Sequence, residues 1–197
     1  MLFNSFEFLF VFLPITLSLF YCLGKYERTK IALIWLTCAS LFYYGWWEPI
    51  YVLFILGSIL FNYSLGVFLC HSHQKRKEKT KRKLLTFGVV SNLGGLGYFK
   101  YANFLIENIN TSLNLNFQFS EVALPLAISF FTFQQIAYLV DVSRGEIQES
   151  KFRHYCIFVV FFPQLIAGPI VYHKEMLPQF SRSSMFPLQA KNLAVGL

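Results

Sequence analysis

Six runs free of Asp, Glu, Lys and Arg alternate with short charged stretches along this 197-residue chain. They cover 8–23, 31–47, 49–70, 84–99, 122–140 and 155–172. Each is close to the roughly 17–25 residues that a helix needs to cross a bilayer. None alternates apolar and polar positions as a strand of a membrane barrel would. Backbone inside hydrocarbon must hydrogen-bond within its own segment, so the runs predict helices. The expected fold class is all-α, a polytopic transmembrane helical protein with about five spanning helices plus a broken or re-entrant sixth element.

The sixth run stands apart because Pro163, Gly168 and Pro169 interrupt it. Proline and glycine break or kink helices. Basic residues also flank the run on both sides, Lys151 and Arg153 before it and Lys174 and Arg182 after it. Broken backbone at membrane depth is tolerated where protein or a wet cavity surrounds it.

Basic residues fix the expected orientation. The loops 24–30, 71–83 and 141–153 hold thirteen of the 17 Lys and Arg residues, seven of them between 71 and 83. The intervening stretches around Glu48 and from Ala102 to Glu121 hold none. This places the N-terminus outside and the basic loop 71–83 in the cytoplasm, with Lys100 snorkelling to the outer interface.

Composition narrows the class further. Apolar residues make 55% of the chain and charged ones only 14%, against about 25% charged in soluble domains. With 24 Phe, a soluble fold would leave large apolar patches exposed. The net charge of +7 needs no nucleic acid, because its main cluster adjoins an expected membrane surface with anionic lipids. The lipid bilayer is the first expected partner.

Few features carry chemistry outright. Cys22, Cys38, Cys70 and Cys156 are isolated, without metal spacing or a CxxC pair. His71 and His73 adjoin cations that would repel a metal ion, while His154 and His173 bracket the broken run. Ser91, Gly94, Gly95 and Gly97 suit close helix packing. Asn110-Thr111-Ser112 matches a glycosylation sequon. The fifth run is more informative. Phe130, Gln134, Tyr138 and Asp141 share one stripe, the last three within about 60° of one another at helical spacing. A polar stripe in lipid must face protein or a cavity. Gln164, one residue past Pro163, adds a second intramembrane amide.

Ordered motifs then point to a family. Ser129-Phe130-Phe131-Thr132-Phe133-Gln134, Tyr138-Leu139-Val140-Asp141 and Arg144-Gly145 resemble the signature of the membrane-bound O-acyltransferases, in the branch that O-acetylates bacterial polysaccharides. Phe161-Phe162-Pro163-Gln164-Leu165, Ala167-Gly168-Pro169-Ile170 and Leu177-Pro178-Gln179 resemble the second signature block. Earlier matches include Phe3-Asn4-Ser5, Phe12-Leu13-Pro14, Tyr43-Tyr44-Gly45-Trp46-Trp47, Asn92-Leu93 and Gly97-Tyr98-Phe99-Lys100-Tyr101.

The resemblance implies a helical funnel through the bacterial cytoplasmic (inner) membrane. It implies a cytoplasmic acyl thioester such as acetyl-CoA as donor substrate, with no bound cofactor and no metal. It further implies a periplasmic or extracellular partner transferase of hydrolase-like fold and a polysaccharide acceptor such as alginate or peptidoglycan. The family-motif and substrate-channel positions are Phe130, Phe133, Gln134, Tyr138, Asp141, Pro163, Gln164, Gly168, Pro169 and His173. The family's catalytic His lies downstream of the Gly-Pro block, and family members are more than twice as long. Residues 1–197 are therefore expected to be the N-terminal portion of a single transmembrane domain, without a catalytic residue of their own and inactive alone. A transporter or channel subunit, or a non-catalytic scaffold, would share the expected topology. Transporters, however, usually carry internal repeats, and runs one to three share no motif with runs four to six.

Overall fold

A computed structural model describes residues 4–25, 29–113, 123–147, 151–168 and 176. The described residues form helices joined by turns, with no strand among them. A π-helical turn, Phe8–Phe12, leads into α1 (Leu13–Lys25). Then follow α2 (Thr29–Gly45), α3 (Ile50–Gln74), α4 (Glu78–Leu113), α5 (Ile128–Ser143), α6 (Phe152–Val160) and α7 (Phe162–Ala167). The all-α expectation holds. Among the described residues, α3 is the helix that is long and apolar enough by itself to cross a bilayer.

The chain divides into two compact units, 1–63 with 149–197, and 64–148. In the first unit α2 is central, packing against α1, α6 and α7. The Trp35 indole Nε1–H donates to the Thr16 carbonyl at 3.2 Å, tying α2 to α1. Tyr63 meets Phe152 edge-to-face at 5.0 Å and Tyr155 at a tilt at 5.7 Å. Pro14 explains the π turn that precedes α1. It offers no N–H to the Phe10 carbonyl and its ring crowds that group, so the chain widens by one residue there.

In the second unit α4 and α5 pack side by side. Their close approach depends on Gly88, where a Cβ would come within 2.7 Å of Leu139 Cδ1. Asn92, one turn further on, is buried and satisfies itself by donating Nδ2–H to the Gly88 carbonyl at 2.7 Å.

Three expected boundaries need correction. The stretch 71–83 is not a loop. Helix α3 runs to Gln74 and α4 begins at Glu78, leaving only 75–77 as a turn. Lys and Arg are good helix formers, and Glu78 in the first turn pairs with Lys81 Nζ at 2.8 Å. The fourth run is far longer than 84–99. It reaches Leu113 because no Pro or Gly interrupts 100–113, and the Asn108 amide and Thr111 hydroxyl donate back to the Phe104 and Glu107 carbonyls one turn earlier rather than competing for the backbone. The sequon at Asn110 therefore lies in a helix. The fifth helix begins later than 122, at Ile128, because Pro125 and the left-handed Ala127 (φ 57°) precede it.

Two helix ends share one closing motif. After α5, Gly145 takes φ +77°, its N–H bonds Val142, and the Glu146 N–H reaches back to the Asp141 carbonyl, both at 3.0 Å. After α3, Arg76 does the same at φ 52°. Its N–H bonds His73 and the Lys77 N–H bonds Ser72, again at 3.0 Å.

Candidate functional site

In the first unit the candidate site is the break between α6 and α7. In a continuous helix Pro163 would offer no N–H and its ring would strike the Val159 carbonyl. The chain instead swings out at Phe161 (φ −52°, ψ 107°) and restarts at Phe162. The Phe161 carbonyl collects the N–H groups of Gln164 and Leu165 at 3.0 and 2.8 Å. That leaves the Phe162 N–H, and Ser40 on α2 supplies its partner. Ser40 is fully buried, accepts the Phe162 N–H at Oγ at 3.3 Å and donates its own proton to the Leu36 carbonyl at 2.8 Å.

Four rings clamp the restart. Phe8, Phe12, Tyr43 and Phe162 all lie within 6.0 Å of one another, centroid to centroid. Such pairs contribute about 0.5–1.5 kcal/mol each beyond area burial, and they fix Phe162 against the π turn and α2.

Gln164 follows, buried, with no hydrogen-bond partner for its Nε2 among the described residues. Gly168 closes α7. A Cβ there would sit 2.6 Å from Gln164 Cα, so only glycine lets the backbone fold against that residue. Pro163 is half-buried. Pro169 and His173 lie outside the described residues.

In the second unit the site is the polar face of α5. Gln134 is 1% exposed, and neither its Oε1 nor its Nε2 has a hydrogen-bond partner among the described residues. Tyr138 is buried with the hydroxyl end of its ring against Gly66 of α3, where a Cβ would come within 2.6 Å of the phenol oxygen. Phe130 and Asp141 are half-buried on the same stripe, whereas Phe133 is 48% exposed. Arg144 is exposed beyond the helix end. His73 packs its imidazole over Gly145, where a Cβ would meet Nε2 at 2.5 Å.

Several participants were not legible as site residues. Ser40 meets the break only through tertiary structure. Gln135 and Thr132 are as deeply buried as Gln134. The Gln-Gln pair itself was the available signal for Gln135. Gly94, Gly95 and Gly97, expected to admit a neighbouring helix, have nothing within 4 Å of an added Cβ among the described residues.

The arrangement offers hydrogen-bond donors and acceptors rather than a proton-transferring base. The buried amides can donate to a carbonyl or accept from a hydroxyl. Neither is a base near neutral pH. At the foot of α6, burial first and then the charges of Arg153 and Lys151 hold His154 below the ordinary imidazole value. No group of three or more His, Cys, Asp or Glu among the described residues is arranged to hold a metal ion.

Curated proteins resemble the chain along its length. A Helicobacter pylori protein named peptidoglycan O-acetyltransferase is 38% identical over 223 aligned positions, taking in 100% of this chain and 42% of that protein. Probable alginate O-acetylases from Pseudomonas aeruginosa and Azotobacter vinelandii are 38% and 36% identical over 186 positions, 92% of this chain and 35% and 36% of theirs. The chain is thus a homologue of O-acetylating proteins and spans less than half the length of these relatives. No family model and no solved structure matches it.

Proposed function

We propose that this homologue of glycan O-acetylating proteins is part of a membrane-bound O-acyltransferase, supplying the substrate-positioning wall of its transmembrane funnel. The observation that carries the reading is similarity to named O-acetyltransferases over nearly the whole chain, beside Gln134 and Gln164 amides that are buried without partners for their Nε2 groups among the described residues. Buried amides lacking partners cost stability, which favours a role toward a polar substrate.

In this reading the helices cross the bacterial inner membrane several times. The N-terminus is outside, and the basic junction of α3 and α4 is cytoplasmic. The donor is a cytoplasmic acyl thioester, acetyl-CoA by preference. The acceptor hydroxyl belongs to an extracytoplasmic glycan of the alginate or peptidoglycan type, reached through a partner transferase of hydrolase-like fold. The acyl-accepting hydroxyl oxygen attacks the thioester carbonyl, the carbon–sulfur bond breaks, and a base takes the hydroxyl proton and passes it to the departing thiolate, which leaves as the free thiol. The base comes from the remainder of the length that the relatives have and residues 1–197 lack. Amide donors of the Gln134 kind hold the carbonyl oxygen as charge develops on it.

The test is acetate released by mild alkali from the glycan of a strain lacking its own O-acetylation protein. Residues 1–197 expressed alone are expected to leave the glycan unacetylated. Co-expression with the downstream part of the Helicobacter pylori relative is expected to restore acetate. Full acetylation by residues 1–197 alone would overturn the division of labour, and no acetate from the membrane-inserted pair would overturn the acyltransferase reading.

A further inference from the structure

We propose that the exposed face of α4 near its start is a binding site for one anionic phospholipid, with the lipid phosphate held by Lys79, Arg82 and Lys83 and its acyl chains lying along Phe87 and Val90. The site rests on the membrane reading above. Read from sequence, these cations belong to a loop, which would scatter them. The helix gathers them. Positions 79, 82, 83, 86, 87 and 90 recur at three- and four-residue intervals, the spacing of neighbours on one helix face. Together they line one shallow cavity of about 620 Å³, and all six are exposed.

Part of the remaining helix surface there is committed elsewhere. Gly88 packs on Leu139 and Leu65, and Asn92 is buried. Lys81 is drawn to Glu78, with Nζ 2.8 Å from its carboxylate. That hydrogen bond first, then the charges of Lys81, His73 and Arg82, hold Glu78 below the usual carboxylate range. The carboxylate of this first turn is therefore ionised and engaged by Lys81, and three cations remain on the cavity side.

The chemistry of the lining selects the ligand. Arg82 offers a planar fork of donors suited to phosphate, and the two lysines add point charges. The Thr86 hydroxyl sits on the same face as a further donor. Beyond the cations the wall turns apolar, with Phe87 56% and Val90 62% exposed. A free nucleotide would use only the Phe87 ring, whereas a lipid uses the whole wall, placing a headgroup over acyl chains in the same order. Three basic groups at a membrane surface favour an anionic headgroup by on the order of 100-fold.

The test uses the chain in nanodiscs of nine parts phosphatidylcholine to one part phosphatidylglycerol, with retained phosphatidylglycerol counted by native mass spectrometry after release. Wild type is expected to retain one. The K79Q/R82Q/K83Q variant is expected to lose retention by about tenfold or more at unchanged helix content. R82K, which keeps the charge but loses the fork, should lose less, and K75Q/K77Q, in the turn outside the cavity, should lose nothing. F87S/V90S should weaken retention of the long-chain lipid while sparing a short-chain one. Undiminished retention in the triple variant would overturn the site. So would an equal loss in the turn variant, which would mean a diffuse field. Displacement of the lipid by micromolar adenosine 3′,5′-bisphosphate would overturn it in favour of a nucleotide-phosphate site. Wild type that fails to enter nanodiscs contradicts the membrane reading, while wild type that enters but retains no phosphatidylglycerol contradicts this site alone.

Discussion

The side-chain amide of Gln134 is buried with both polar atoms unpartnered among the described residues, an arrangement that costs a fold about 1–3 kcal/mol. Gln134→Leu removes that cost, so thermal unfolding in detergent should shift upward or stay level. Acetyl transfer by the assembled enzyme should fall at the same time. A purely structural amide would give the opposite pair, lower stability with activity spared. Ser40 is the converse case. Ser40→Ala strands the buried Phe162 N–H and should cost about 1–3 kcal/mol in denaturant titrations, with the loss localised to α7 by hydrogen exchange. His154 carries the pH dependence. Its folded pKa lies below the ordinary 6.5, so the unfolded chain takes up the proton first as pH falls. Stability present above about pH 6.5 should drain away just below it, and His154→Gln should flatten that limb of the melting profile.

Helices differ in how far their ends could be read. The break in the sixth run was visible as Pro163 and Gly168, because proline removes a donor wherever it falls. The partner that makes the break tolerable, Ser40, lies 122 residues away along the chain and carries no local signal. The start of α4 was hidden for a different reason. Counting charges identifies what stays out of lipid, and charged residues outside lipid still form helix. Gly145 closes α5 with a residue suited to positive φ, but Arg76 closes α3 in the same left-handed conformation against its steric preference. Arg76→Gly should therefore stabilise the chain by about 1 kcal/mol, read from a thermal melt. Close approaches also escape sequence reading. Gly66→Ala should push the Tyr138 ring off α3 and cost about 1–3 kcal/mol, since a Cβ there would sit 2.6 Å from the ring.

For the molecule as a whole, the all-α class was legible because long apolar runs leave the backbone few alternatives. The two-unit division was not, since it falls inside α3, between Tyr63 and Ser64. Function was legible only through motif order. The buried stripe of Gln134 and Tyr138 fits many membrane proteins, and similarity to O-acetylating relatives is what separates them. In the proposed orientation the basic junction of α3 and α4 is cytoplasmic. In a background without the native cysteines, Gln74→Cys should resist an impermeant thiol reagent on intact cells and Asn114→Cys should react. The account stands or falls on whether this chain can work inside a transferase. The direct measurement replaces the matching segment of the Helicobacter pylori relative with residues 1–197 and quantifies acetate released from peptidoglycan. The chimera is predicted to acetylate, and its Gln134→Leu form to lose most of that activity. A chimera that is made and inserted in the membrane yet releases no acetate would contradict the account.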